Sequence, residues 1–128
     1  MIVDTSALMA IIQQEPEQPA FIAAILSSSE CSISAGSWVE LGAVLGRRKP
    51  ELAEEAESLL DKLGLSIAEV TTEQARIGHR AYLEFGRGRH EARLNFGDCF
   101  SYALAKATGR PLLFKGNDFV LTDIAPAL

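Results

Sequence analysis

Four acidic side chains stand in settings that invite a chemical reading. Asp4 follows the apolar pair Ile2-Val3, where a first strand should end, and open parallel sheets bind ligands outside the carboxyl ends of their strands. Glu40 lies in Trp38-Val39-Glu40-Leu41-Gly42-Ala43-Val44-Leu45, and Asp98 in Phe96-Gly97-Asp98-Cys99-Phe100-Ser101-Tyr102-Ala103-Leu104. Neither of these helical segments offers a wide polar face for its acid to join. Asp118 follows a late strand in Gly116-Asn117-Asp118-Phe119. Each acid also has a plain structural reading: Asp4 as a helix cap, Glu40 and Asp98 as a narrow wet stripe or ion pair, Asp118 as turn chemistry.

Convergence of such groups would need compensation. Burying an unpaired carboxylate costs several kcal/mol, and two like charges ~4 Å apart oppose each other by about 4 kcal/mol at an effective dielectric near 20. A divalent cation offsets both terms. Carboxylates without clustered His or Cys suit Mg²⁺ or Mn²⁺ rather than zinc. His79 and His90 have no H-x-x-x-H partner and read as surface residues or substrate contacts.

The rest of the composition narrows the setting. The chain has 128 residues, 48% of them hydrophobic, and a formal net charge of −5, which suits one globular domain over 1–128 and excludes disorder. Glu51, Glu54, Glu55, Glu57 and Asp61 fall on one helix as a solvated face. Cys31 and Cys99 are too far apart for a C-x-x-C motif, so a reducing cytoplasm is expected. Apolar runs such as Ala20–Leu26 are too short to span a membrane, and no basic segment of a signal peptide precedes Asp4. The acidic total ranks nucleic-acid binding low. Against it, Arg76, Arg80, Arg87, Arg89 and Arg93 gather in one stretch with both histidines, and a local basic patch can hold phosphate on an acidic protein.

Strands alternating with helices must carry these residues. Expected strands are Met1–Asp4, Cys31–Ser34, Leu65–Val70, Leu112–Phe114 and a short last one at Leu121–Ile124. Ser6 is the expected cap of a first helix ending at Glu15-Pro16. A second helix, about Glu17 to Ser28, turns Phe21, Ile22, Ile25 and Leu26 inward. A third carries Trp38, Leu41, Val44 and Leu45 and stops near Arg47-Arg48-Lys49. Leu52, Ala56, Leu59, Leu60 and Leu63 line a fourth, which Gly64 ends. Thr71 and Thr72 cap a fifth that runs to about Phe85. The last, Phe96–Thr108, is closed by Gly109, and Gly86–His90 forms a loop. This order predicts an α/β fold with a parallel sheet.

In order and spacing, these segments resemble the PIN-domain ribonucleases, specifically the VapC toxins of toxin–antitoxin pairs. The matching pieces are Met1–Leu8, Trp38–Leu41, Asn95–Ala105, and Leu112–Phe119 with Thr122-Asp123-Ile124, so the similarity spans essentially the whole chain. It implies a PIN-like α/β domain with a parallel four- to five-stranded sheet flanked by helices, and a metal-dependent endoribonuclease toxin acting on tRNA, rRNA or mRNA. Carried across by position, Asp4, Asp98 and Glu40 bind the metal, Ser6 supports the first carboxylate or a water, and either Asn117 or Asp118 completes the site or it has only three acids. Many PIN domains place an Asp three residues before the Phe, where this chain has Gly116. Water attack implies a 5′-phosphate and a 3′-hydroxyl product. The resemblance also implies a cognate VapB-type antitoxin and a homodimer. Arg87, Arg89 and Arg93 are the candidate RNA contacts.

Two other classes compete. A phosphotransfer enzyme could use a strand-end Asp, but the haloacid-dehalogenase pattern wants a second Asp where Ser6 stands, and a receiver wants paired acids before its first helix. A catalytically silent PIN-like module would bind a protein partner through its helices. Metal-dependent RNA cleavage separates both from the nuclease.

Overall fold

Short apolar strands running directly into capped helices build the molecule, and the computed structural model describes residues 1–128. Strand β1 (Ile2–Val3) leads into helices α1 (Thr5–Ile12) and α2 (Gln18–Ser27). Strand β2 (Cys31–Ser34) leads into α3 (Ala35–Arg48), a 3-10 turn at Pro50–Leu52 and α4 (Ala53–Leu63). Strand β3 (Leu65–Ala68) precedes α5 (Thr72–Phe85) and α6 (Asp98–Thr108), and β4 (Leu112–Leu113) comes last.

The sheet is parallel throughout, in the order β3-β2-β1-β4. Ile2 pairs with Leu112 and Val3 with Leu113, so the first and last strands lie side by side. Alternation along these strands divides the core. Val3, Ile33 and Leu113 pack with α1 to α4 on one face, and Ile2 and Leu112 pack with α5, α6 and the C-terminal Phe119 and Ile124 on the other. Each fully buried aliphatic side chain contributes about 1.5–3 kcal/mol, which is what fastens both helical layers to so short a sheet. No helix is long and apolar enough to cross a membrane.

Several expected details differ. Leu121–Ile124 is not a strand. The chain meets the β4 edge later, where Leu112 N–H donates to Ala125 O and Ala127 N–H to Leu112 O, and Pro126 has no N–H with which to extend the ladder. β3 stops at Ala68, and as an edge strand it leaves Ile67 exposed. In α2 only Phe21 and Ile25 are buried, while Leu26 is 62% exposed, because the helix lies on the surface with one narrow contact line. The cap of α1 is Asp4 rather than Ser6: the carboxylate lies one step outside the helix and accepts from Ser6 N–H at 2.9 Å.

Candidate active site

The carboxyl edge of the sheet is where β1, β2 and β4 hand the chain to helices or turns, and the four acids are drawn to that edge. Asp4 is 4% exposed and its two oxygens are separately engaged. Oδ2 accepts from the Ser6 backbone and from Ser6 Oγ at 2.6 Å; Oδ1 accepts from Ser101 Oγ at 2.5 Å. Ser101 Oγ and Ser37 Oγ share a further buried hydrogen bond at 3.0 Å. On the other side, Lys115 N–H donates to Ser6 Oγ at 3.0 Å. One hydroxyl chain thus fixes Asp4 against α3, α6 and the end of β4.

Asp98 opens α6 in a reciprocal cap. Its N–H donates to Asn95 Oδ1 and its own Oδ2 accepts from Asn95 N–H, both at 2.9 Å. This is the capping-box exchange with Asn in place of the usual Ser or Thr and Asp in place of Glu. Asn95 thus caps the segment, Phe96 and Gly97 lead in, and the regular helix runs over Asp98–Thr108. Glu40, in the second turn of α3, turns its carboxyl toward Gly97 with the Thr5 hydroxyl beside it.

The turn after β4 explains the missing fourth-site Asp. Gly116 has φ +98, a left-handed conformation that glycine adopts without strain. An acid at 116 would be strained, and the acid of this turn stands at 118. Asp118 is exposed, yet its charge is felt at Asp98. Asn117 contributes its backbone carbonyl to the turn by accepting from Val120 N–H at 3.2 Å.

Electrostatics ties the group together. Burial is the main cause that pushes the Asp98 carboxyl up to about 7, and the negative charges of Asp4, Asp118 and Glu40 add to it against the opposing Asn95 hydrogen bond. Glu40 is also raised, chiefly by burial and further by Asp4. None of the four acids is paired with a Lys or Arg. The acids are near enough to feel one another's charge, but no three of them converge closely enough to hold a metal ion as they stand. Their chemistry is all oxygen, the donor set that hard divalent ions prefer.

Other candidates separate clearly. Arg87, Arg89 and Arg93 are exposed and unpaired on the Gly86–Leu94 loop, which is more tightly tethered than an open loop. Arg87 N–H donates to Leu94 O, Leu94 N–H donates to Phe85 O, and Ala92 and Leu94 are buried beneath. His90 braces this loop, accepting from Ala92 N–H while its ring meets Phe85 edge-on. His79 is exposed on α5 near Arg76 and Arg80. Asp123 stands apart, bound by Tyr102 and Lys106. Sequence reasoning missed Ser37, Ser101, Asn95 and Thr5. A usable signal existed for three of them. Ser37 precedes Glu40 by three residues and Ser101 follows Asp98 by three, so each acid and its serine share a helix face, and Asn95-x-x-Asp98 has capping-box spacing.

An α/β protein with a parallel sheet and an acid group at its carboxyl edge is the class defined so far. The comparisons agree: residues 1–125 match the PIN domain family. Over 129 residues the chain is 47% identical to Ribonuclease VapC42 of Mycobacterium tuberculosis, covering 99% of this chain and 98% of that protein. The chain belongs to the PIN-domain family, and within it to the VapC ribonucleases. Its fold is similar to that of VapC20 from M. tuberculosis, described as a sarcin-ricin loop cleaving toxin, with a TM-score of 0.76 at 19% identity over 97% of this chain and 95% of that one. It is also similar to a chain of a toxin–antitoxin complex from Klebsiella pneumoniae, with a TM-score of 0.72 at 17% identity over 95% and 92%.

Proposed function

We propose that this VapC-type ribonuclease hydrolyses RNA phosphodiester bonds with Mg²⁺ or Mn²⁺ held by Asp4, Glu40 and Asp98, with Asp118 as the fourth acid. The observation that carries the reading is the cation-free acid group around buried Asp4 and Asp98, in which the Asp98 carboxyl is pushed up to about 7. A divalent ion held there would offset that repulsion and would supply Lewis-acid chemistry toward a phosphoryl oxygen and a water. The chain's own part is positioning. Ser6 and Ser101 fix both oxygens of Asp4, Asn95 occupies one oxygen of Asp98 and leaves Oδ1 without a protein donor, and Glu40 adds a third carboxylate beside Gly97 and Thr5. Arg87, Arg89 and Arg93 supply unpaired positive charge for the backbone of a tRNA, rRNA or mRNA substrate.

The same reading covers partners and place. The chain acts in the cytoplasm as one PIN domain over 1–128, held in check by a VapB-type antitoxin; the likeness to a toxin–antitoxin complex supports that partner. Homodimerisation is supported by an apolar groove of ≈ 470 Å³ between α5 and α6, where Tyr82 and Leu83 are exposed, Phe96 is 76% exposed, and buried Gln74 Oε1 lacks a donor. Phe96→Glu should then shift the protein toward monomer in sedimentation; an unchanged dimer assigns the interface elsewhere. The deciding experiment for catalysis is RNA cleavage by the purified chain with Mg²⁺ or Mn²⁺ and with excess chelator. Cleavage restored by metal and stopped by chelation is expected; equal cleavage in both overturns the metal mechanism.

A further inference from the structure

Gly97 stands between exposed Phe96 and Asp98, with φ −64 and ψ −39. That is ordinary right-handed helical backbone, open to residues of any kind, unlike the left-handed Gly64, Gly109 and Gly116. Nothing in the backbone reserves the position for glycine, which is a poor helix former. Space does. A Cβ at 97 would stand 1.4 Å from Glu40 Oε2, 2.3 Å from Glu40 Cδ and 2.9 Å from Glu40 Oε1. The carboxyl group of α3 occupies the volume that any side chain at 97 would claim.

We infer that Gly97 is a positioning residue: its missing side chain is the socket that seats the Glu40 carboxylate against the first turn of α6, next to Asp98. The inference rests on the reading of Glu40 as a site acid. A contrast within the same two helices shows why the effect is on the site and not on the fold. At Gly36 an added Cβ would strike ring carbons of Phe100 at 2.3–2.7 Å, a bulky group held between helices. At Gly97 the three nearest atoms all belong to the end of one flexible side chain, half-buried and free to swing away. Alanine at 97 is therefore accommodated by expelling Glu40 from its place.

The test compares wild type, Gly97→Ala, Glu40→Gln and the double variant by thermal melting, Mn²⁺ titration in a calorimeter without RNA, and RNA cleavage. Gly97→Ala should melt at or above the wild-type temperature while its Mn²⁺ affinity falls by about 10- to 100-fold, the range for disturbed support of a metal ligand. Cleavage should fall with it, and the double variant should be no worse than Glu40→Gln alone. Wild-type Mn²⁺ binding and cleavage in Gly97→Ala, or losses that simply add to those of Glu40→Gln, overturn the inference. Wild-type behaviour of Glu40→Gln instead overturns the assignment of Glu40 to the site. Should Gly97→Ala fail to fold, Gly97→Ala with Glu40→Ala decides: recovery supports the socket, and continued misfolding shows that the glycine serves the fold.

Discussion

Helix α6 meets an acid at each end, and the two are treated in opposite ways. Near its last turn, Asp123 takes a hydrogen bond from Tyr102 at 2.7 Å and an ion pair from Lys106, and that Lys106 contact above all holds its carboxyl below the ordinary range. In its first turn, Asp98 is buried among three other acids with no cation, and its carboxyl is pushed up to about 7. The chain evidently has the means to neutralise an acid on this helix and uses them only where the acid ties down the C-terminal segment. The two buried acids, Asp4 and Asp98, both lie at the carboxyl edge of the sheet and have no cationic partner.

The sharpest way to break this contrast is to delete each acid in turn. Asp98→Ala, like Asp4→Ala, should lower RNA cleavage by about 10²–10⁴-fold, as loss of a group acting at the reacting centre does, with the native fold retained in circular dichroism. Asp123→Ala should leave cleavage near wild type and cost about 1 kcal/mol of stability through the stranded Tyr102 hydroxyl. Full activity in Asp4→Ala or Asp98→Ala removes the distinction. A smaller effect belongs to the basic loop. Replacing Arg87 and Arg89 together by Ala should weaken cleavage and flatten its salt dependence, by about one unit of log–log slope for each phosphate no longer neutralised. An unchanged salt profile takes the loop off the substrate path.

The remaining effect is thermodynamic and has a definite sign. Asp98 has a folded pKa of about 7 against an ordinary 3.8, so the native protein holds a proton that the unfolded chain has released anywhere between those values. Its contribution to stability is complete below about pH 4 and is lost as pH rises through 7. Chelated wild type should therefore melt higher at pH 5 than at pH 8, and Asp98→Asn should flatten that difference. Asp123, with its lowered pKa, acts in the reverse sense and only in more acidic solution. A wild-type melting curve that does not change between pH 5 and 8 would show that Asp98 ionises freely.

Much of this was legible in the sequence because it rests on short-range pattern. The strands at Ile2-Val3 and Cys31–Ser34 are apolar or small-residue runs followed at once by helix signals, Glu40 and Asp98 interrupt otherwise apolar helical segments, and Asp4 and Asp118 follow apolar strands. What escaped notice depends on contacts distant in the chain. The Ser101 to Asp4 bond joins residues 97 positions apart, and Ser37 to Ser101 joins residues 64 apart. Serine within a helix has too many bland roles to announce such a link. Asp4 shows the limit differently: capping a helix and joining the acid group looked like rival explanations, yet its two oxygens let it do both. The last strand was misplaced because Leu121–Ile124 has strand-like residues, while the backbone that approaches β4 lies in the proline-bearing segment after it.

The bond from Lys115 N–H to Ser6 Oγ spans 109 positions, and β1 borders β4, the last strand made. During synthesis, then, the first residues of the protein wait for nearly the last. Until residues 112–115 are available, one side of β1 has no neighbour and Ser6 lacks one of its partners. A chain released early, at Arg110 for example, carries Asp4, Glu40 and Asp98 in its covalent structure but has nothing to seat the first of them from the β4 side. Interrupted translation of such a protein yields fragments in which Ser6, and through it Asp4, lacks its support from the last strand.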